Sequence, residues 1–208
     1  MMTCQPPKKQ KTTLVHQLES MHAHQMLLYL FIIGIGLLFS VLLVAFTFTR
    51  LRLQGFEYKQ FPVAFIISTL LIMSSSWFLR KSRKAFESEK IEQVKHLLGI
   101  TLLLGISFCA TQFLGWLELQ KSGIFLIGKA SGAYLYLISG LHALHLIGGI
   151  IFLFLEYRTV LQMLKDPVKY LILITSPYEK LKIKMLCQYW HFLDALWIFL
   201  FVYFLISF

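Results

Sequence analysis

Four ionisable side chains stand inside stretches that are otherwise apolar: His142, His145, His191 and Asp194. Groups of this kind are expensive in lipid, so each is a functional candidate by default. His142 and His145 are three residues apart, as are His191 and Asp194. At about 100° per residue of helix, each pair shares one face. Three chemistries suit such a set: a polar contact fastening two helices, a proton relay or lipid-headgroup contact, and haem ligation. Depth bears on the choice. Asp194 lies ten residues past Lys184 and His145 eleven before Glu156, which puts both roughly 15 Å in from the same side. A carboxylate at that depth needs a partner, so a contact from His145 to Asp194 is expected between the last two spans. His142 with His191 would suit a haem iron, but they differ in depth by about 10 Å, which opposes a shared metal.

The elements that carry these groups follow from composition. The 208 residues are 57% hydrophobic and 14% charged, with a mean hydropathy of +0.69. So little polar cover cannot clothe a water-soluble domain of this length. A helix needs about 20 mainly apolar residues to cross the hydrocarbon core, and residues 26–48, 61–79, 97–117, 130–155 and 185–207 qualify. The predicted fold class is all-α, a polytopic membrane bundle of five transmembrane helices. A polar N-terminal tail, residues 1–24, precedes a single membrane domain, residues 25–208. The tail shows no cleavable leader pattern, so the first span is expected to be retained.

A net charge of +10 raises the question of nucleic acid, and the placement of the charges answers it. Fifteen Lys and Arg fall in the N-terminus and the second and fourth loops, and five in the first and third loops. That asymmetry is the positive-inside pattern; it predicts a cytoplasmic N-terminus and an external C-terminus, with no nucleic-acid partner. The tail is expected to lack order up to about Thr13. Residues 80–95 mix Arg and Lys with Glu87, Glu89 and Glu92 at helical spacing, as a solvated helical extension with salt bridges would. In the long fourth loop, residues 157–184, the run 170–174 is too short to span and is expected to lie at the membrane interface or to pack on a partner. Cys4, Cys109 and Cys187 show neither disulfide nor metal spacing; the last two read as small packing residues. Trp190, Trp197, Phe201 and Phe204 form a packed or lipid-facing stripe. Gly140, Gly148 and Gly149 would admit another backbone at close range.

The run Gln188-Tyr-Trp-His-Phe-Leu-Asp-Ala-Leu-Trp197 resembles the last-helix signature of subunit III of haem-copper terminal oxidases. Ser139-Gly-Leu-His-Ala-Leu-His-Leu-Ile-Gly148 is similar to the paired-histidine motif of that family's penultimate helix, and Leu104-Gly105, Gln112 and Glu118 to the helix before it. Ser68-Thr69 and Ser74-Ser75 fit more loosely. The likeness covers about residues 26–208 and is dense after Leu97. The family is often seven-helical, and this chain resembles its five-helix form.

The resemblance implies an accessory, non-catalytic subunit III (cytochrome c oxidase subunit III) in a bacterial cytoplasmic membrane. Such a subunit packs on the catalytic subunit I beside subunit II, holds phospholipid in a cleft, and sustains proton uptake and durability in turnover. It binds no haem, copper or other metal itself; these sit in partner subunits of a proton-pumping complex that passes electrons from cytochrome c, or in some relatives quinol, to oxygen. Three positions depart from the pattern. Gly34-Ile35-Gly36 lacks the glutamate common in the first span, Lys184 stands where an acid is usual, and Gly115-Trp116 replaces a Glu-Tyr pair. A proton-antenna role loses those acids, whereas packing and lipid binding do not depend on them. Lys184 would suit an anionic lipid phosphate. The alternative from another class is a small transporter or proton channel working through His142, His145 and Asp194.

Overall fold

The computed structural model describes residues 9–52, 62–123, 130–166, 170 and 176–207. All five expected spans appear as helices: α1 (Lys9–Arg52), α2 (Val63–Glu87), α3 (Ile91–Lys121), α4 (Ala130–Met163) and α5 (Pro177–Ser207). Each is long and apolar enough to cross a bilayer, and no strand occurs among the described residues. The chain is a multi-pass membrane protein built on helices, whose interior backbone groups pair within the helix, as lipid requires.

The helices run further than the apolar stretches. α1 begins at Lys9, ahead of Thr13; α4 continues past Glu156 to Met163; and α5 starts at Pro177, so Lys180, Lys182 and Lys184 are helical rather than loop residues. Long polar side chains tolerate helix ends because their heads reach the interface or pair with each other. The expected extension over residues 80–95 is two helix ends with a tight turn between them. Its pairs form as expected, Arg83 to Glu87 at 3.1 Å and Lys95 to Glu92 at 2.6 Å. The break is a Schellman closure: Lys90 N–H donates to the Ala85 carbonyl and Glu89 N–H to that of Phe86, with Glu89 left-handed at φ 59°. In the 170–174 run only Tyr170 is described; its hydroxyl donates to the Glu89 carbonyl at 3.2 Å. The first loop, residues 53–61, and Cys4 lie outside the described residues.

That turn makes α2 and α3 an antiparallel pair. α5 packs on α2 and on α4, and α4 also touches α3. α1 lies at the edge, against α4 and α5, with 17% of its apolar stretch buried against 44% for α2. Polar contacts moor it near both ends of its apolar span: Gln188 donates to the Tyr29 hydroxyl at 2.8 Å, and Thr47 shares a short hydrogen bond with Tyr203. Cys187 is buried, Cys109 half-buried, and both are free thiols.

Gly115 sets the closeness of α2 and α3. A Cβ there would meet Phe65 ring atoms at 2.4 and 2.7 Å, and Phe65 is itself buried against Trp197. Gly115→Ala gains helix propensity but forces that ring to move, so it should destabilise the detergent-solubilised protein by about 1 kcal/mol net. Gly36→Ala, where nothing lies within 4 Å of an added Cβ, should raise the melting temperature instead. Equal shifts of one sign would contradict this account.

Candidate functional site

A row of hydroxyls on α2 organises the centre of the bundle. Ser68, Ser75 and Ser82 follow at intervals of seven, which keeps them on one face, and all three are fully buried. Ser68, Thr69 and Ser75 donate to carbonyls of their own helix, Phe65 for the first two and Ile72 for the third. Their oxygens remain acceptors. Trp190 Nε1 donates to Ser75 Oγ at 2.9 Å, Trp197 Nε1 to Thr69 Oγ1 at 3.0 Å, and Gln112 Nε2 to Ser68 Oγ at 3.0 Å. The indoles of α5 and the amide of α3 are thereby locked to α2. Glu118, at the other end of α3, accepts the Ala64 N–H at 3.3 Å and so caps the start of α2, where a negative charge is favoured.

The four ionisable groups part company. His142 faces the bundle centre, fully buried, with its ring 5.1 Å from Trp197, 5.9 Å from Phe108 and 6.4 Å from Phe39. Neither ring nitrogen has a hydrogen-bond partner. His145 turns toward α1: its Nδ1 bonds the Leu141 carbonyl of its own helix at 2.7 Å, its ring lies near Phe31 and Phe39, and it lines a groove of about 610 Å³ with Gly34 and Ile35. His191 and Asp194 face α2, where Ser76 Oγ and His191 Nδ1 are 2.7 Å apart and His191 Nδ1 stands 3.8 Å from Asp194 Oδ2. The expected contact from His145 to Asp194 is therefore not made. The two side chains share a depth but not an azimuth, and azimuth decides which neighbour a helical residue meets.

The glycines of α4 admit side chains rather than another backbone. A Cβ at Gly149 would meet Leu193 and Tyr189 at 3.3 Å and Trp190 at 3.4 Å, while at Gly140 the Trp116 ring is an ordinary 3.8 Å away. Trp116 donates from Nε1 to Ser139 Oγ at 3.0 Å and ties α3 to α4. Of the aromatic stripe, Trp190, Trp197 and Phe204 are buried and Phe201 half-buried, so it is packed rather than lipid-facing.

Sequence reasoning passed over a charged joint between α4 and α5. Glu156 is buried, within electrostatic range of Lys182, whose Nζ is 3.1 Å from Glu179 and sits 4.7 Å over the Tyr178 ring. The only signal was that Glu179 and Lys182 stand three apart, easily read as a solvated loop pair. Lys184 is exposed and faces a cavity of about 280 Å³ at the ends of α2 and α5, with Arg83 and Lys180. Among the described residues no cluster of three or more His, Cys, Asp or Glu could hold a metal ion.

Residues 10–207 match the family model described as cytochrome c oxidase subunit III. The chain is similar to the probable cytochrome c oxidase subunit 3 of Mycobacterium tuberculosis (strain ATCC 25618 / H37Rv), with 30% identity over 151 residues, 71% of this chain and 66% of that one. It resembles the Nocardia farcinica protein of the same description at 31% over 134 residues, covering 64% and 61%. Cytochrome c oxidase subunit 3 of Bacillus sp. (strain PS3) matches at 27% over 179 residues, covering 83% and 80%. The chain thus spans under two thirds of these Mycobacterium and Nocardia proteins and four fifths of the Bacillus one.

Proposed function

The chain belongs to the cytochrome c oxidase subunit III family, and from that membership we propose that it is a non-catalytic accessory subunit of a haem-copper terminal oxidase in a bacterial cytoplasmic membrane. It assembles with the catalytic subunit I and with subunit II, which carry the haem and copper, and it supports proton uptake and durability while electrons pass from cytochrome c to oxygen. The observation that carries this reading is the way its polar groups are used. Trp190, Trp197, Gln112 and Glu118 are engaged in helix-to-helix contacts, and His142 is walled by aromatic rings, an arrangement suited to a scaffold and unsuited to a conduit through this chain alone.

The charge asymmetry favours a cytoplasmic N-terminus. On that orientation Lys184 and Lys180 line the cavity at the cytoplasmic ends of α2 and α5 together with the Arg83–Glu87 pair, and a phospholipid phosphate would lie against the two lysines, each contributing about 1 kcal/mol near the surface.

A tagged chain extracted in mild detergent should bring with it a partner with a haem spectrum and oxygen uptake. Membranes lacking the chain should begin turnover at the normal initial rate and then inactivate early. Purification of the chain alone, or an unchanged lifetime without it, would overturn the proposal.

A further inference from the structure

The groove between α2 and α5 holds a carboxyl that the chain satisfies poorly, with His191, Ser76 and Arg80 near it. Asp194 is 4% exposed and neither of its oxygens has a hydrogen-bond partner. The nearest imidazole nitrogen, His191 Nδ1, is beyond hydrogen-bond reach at 3.8 Å and is engaged with Ser76 at 2.7 Å. A buried acceptor in this state is costly until a donor reaches it. Asp194, His191, Ser76 and Arg80 line one cavity of about 290 Å³, far more than a single water fills. Its rim residues Met73, Trp77 and Ala195 are exposed, so it opens sideways, on the surface that meets lipid.

These features select an occupant. It must donate a hydrogen bond, because the unmet groups are the two oxygens of Asp194. A neutral donor fits best, because an anion would face Asp194 and a cation would face Arg80, both of which line the cavity. It must arrive laterally through the membrane, because the opening lies between two spans. A hydroxyl or carboxamide side chain on another transmembrane helix meets all three conditions, and polar side chains are the usual means by which helices join in lipid. We propose that the α2–α5 groove is the docking face for a transmembrane helix of a partner subunit, which inserts a neutral donor side chain into the cavity to bond Asp194. This rests on the accessory-subunit reading and adds to it the face and the chemistry of contact.

The test is made in membranes that hold the whole complex. A benzophenone-bearing residue in place of Ala195 should crosslink, on illumination, to a transmembrane peptide of another oxidase subunit identified by mass spectrometry. The same residue in place of Phe113, exposed on α3, should not. Ala195→Trp, which fills the mouth without touching a polar group, should lower recovery of partner subunits about tenfold while leaving the amount and melting temperature of the chain unchanged. Asp194→Leu should do the same to recovery, and Asp194→Asn, which keeps an acceptor oxygen, should largely restore it. If the wild-type chain recovers oxidase subunits but position 195 crosslinks only to lipid, or Ala195→Trp leaves recovery intact, the docking face is wrong and the accessory role stands. If the wild-type chain recovers none, both fail.

Discussion

Trp197→Ala should be the most damaging single substitution in the bundle, lowering stability in detergent by about 3 kcal/mol, the low end of the range for buried aromatic truncations. The indole is 1% exposed. It meets Phe108 edge-on at 5.2 Å, Phe65 at 6.0 Å and His142 at 5.1 Å, and donates to Thr69. Those contacts tie α2, α3 and α4 to α5, so one truncation opens a cavity shared by four helices. The value sits at the low end because in a membrane the released surface meets lipid rather than water, leaving packing and the hydrogen bond as the main losses. Trp197→Phe keeps most ring contacts and should cost about 1 kcal/mol, since the Thr69 hydroxyl still donates to the Phe65 carbonyl and is not orphaned. Trp77→Ala is the control: that ring is 58% exposed and its loss should scarcely move the melting temperature. Comparable destabilisation by Trp77→Ala and Trp197→Ala would mean that the bundle is not centred on Trp197.

The spans were legible because lipid demands long apolar helices, and their existence needed only hydropathy. Their ends were less so. Glu156 and Lys184 served as rulers for depth, yet α4 and α5 carry charge well inside their helical limits because Glu179 pairs with Lys182 and Glu156 is buried beside them. Depth was still nearly right for His145 and Asp194; what the chain did not disclose was the rotation of each helix about its axis. That rotation is set by features with weak signals. The seven-residue rhythm of Ser68, Ser75 and Ser82 was visible but easily taken for small residues in an apolar run, until the structure turned Trp190 onto it. Glu118 and Gln112 were marked by resemblance to a family; the geometry supplies their physical tasks, a cap on α2 and a bond to Ser68. Glu89 in a left-handed turn had no signal, since glycine is the residue expected there.

Leucine placed at each of three histidines should give three different results, because the imidazoles differ in what they touch. His142→Leu is expected to stabilise the protein by about 2 kcal/mol. A neutral imidazole carries one donor and one acceptor; both nitrogens of His142 lack partners at zero exposure among rings, and each unmet polar atom costs about 1–3 kcal/mol. Leucine keeps much of the volume and removes that cost. His145→Leu exchanges one bond to the Leu141 carbonyl for an apolar surface in an open groove and should change stability by less than about 1 kcal/mol. His191→Leu should destabilise by about 1–3 kcal/mol, since it strips Ser76 of its partner and leaves Asp194 without its nearest imidazole. Thermal melts of the three variants in one detergent provide the measurement. A destabilised His142→Leu would mean that the ring is hydrogen-bonded in the folded protein, and the packed aromatic centre would then have to contain a polar path. A stabilised variant whose oxidase keeps its initial rate would place the work of this helix pair in holding α4 against α5, with His191 and Asp194 left to face outward.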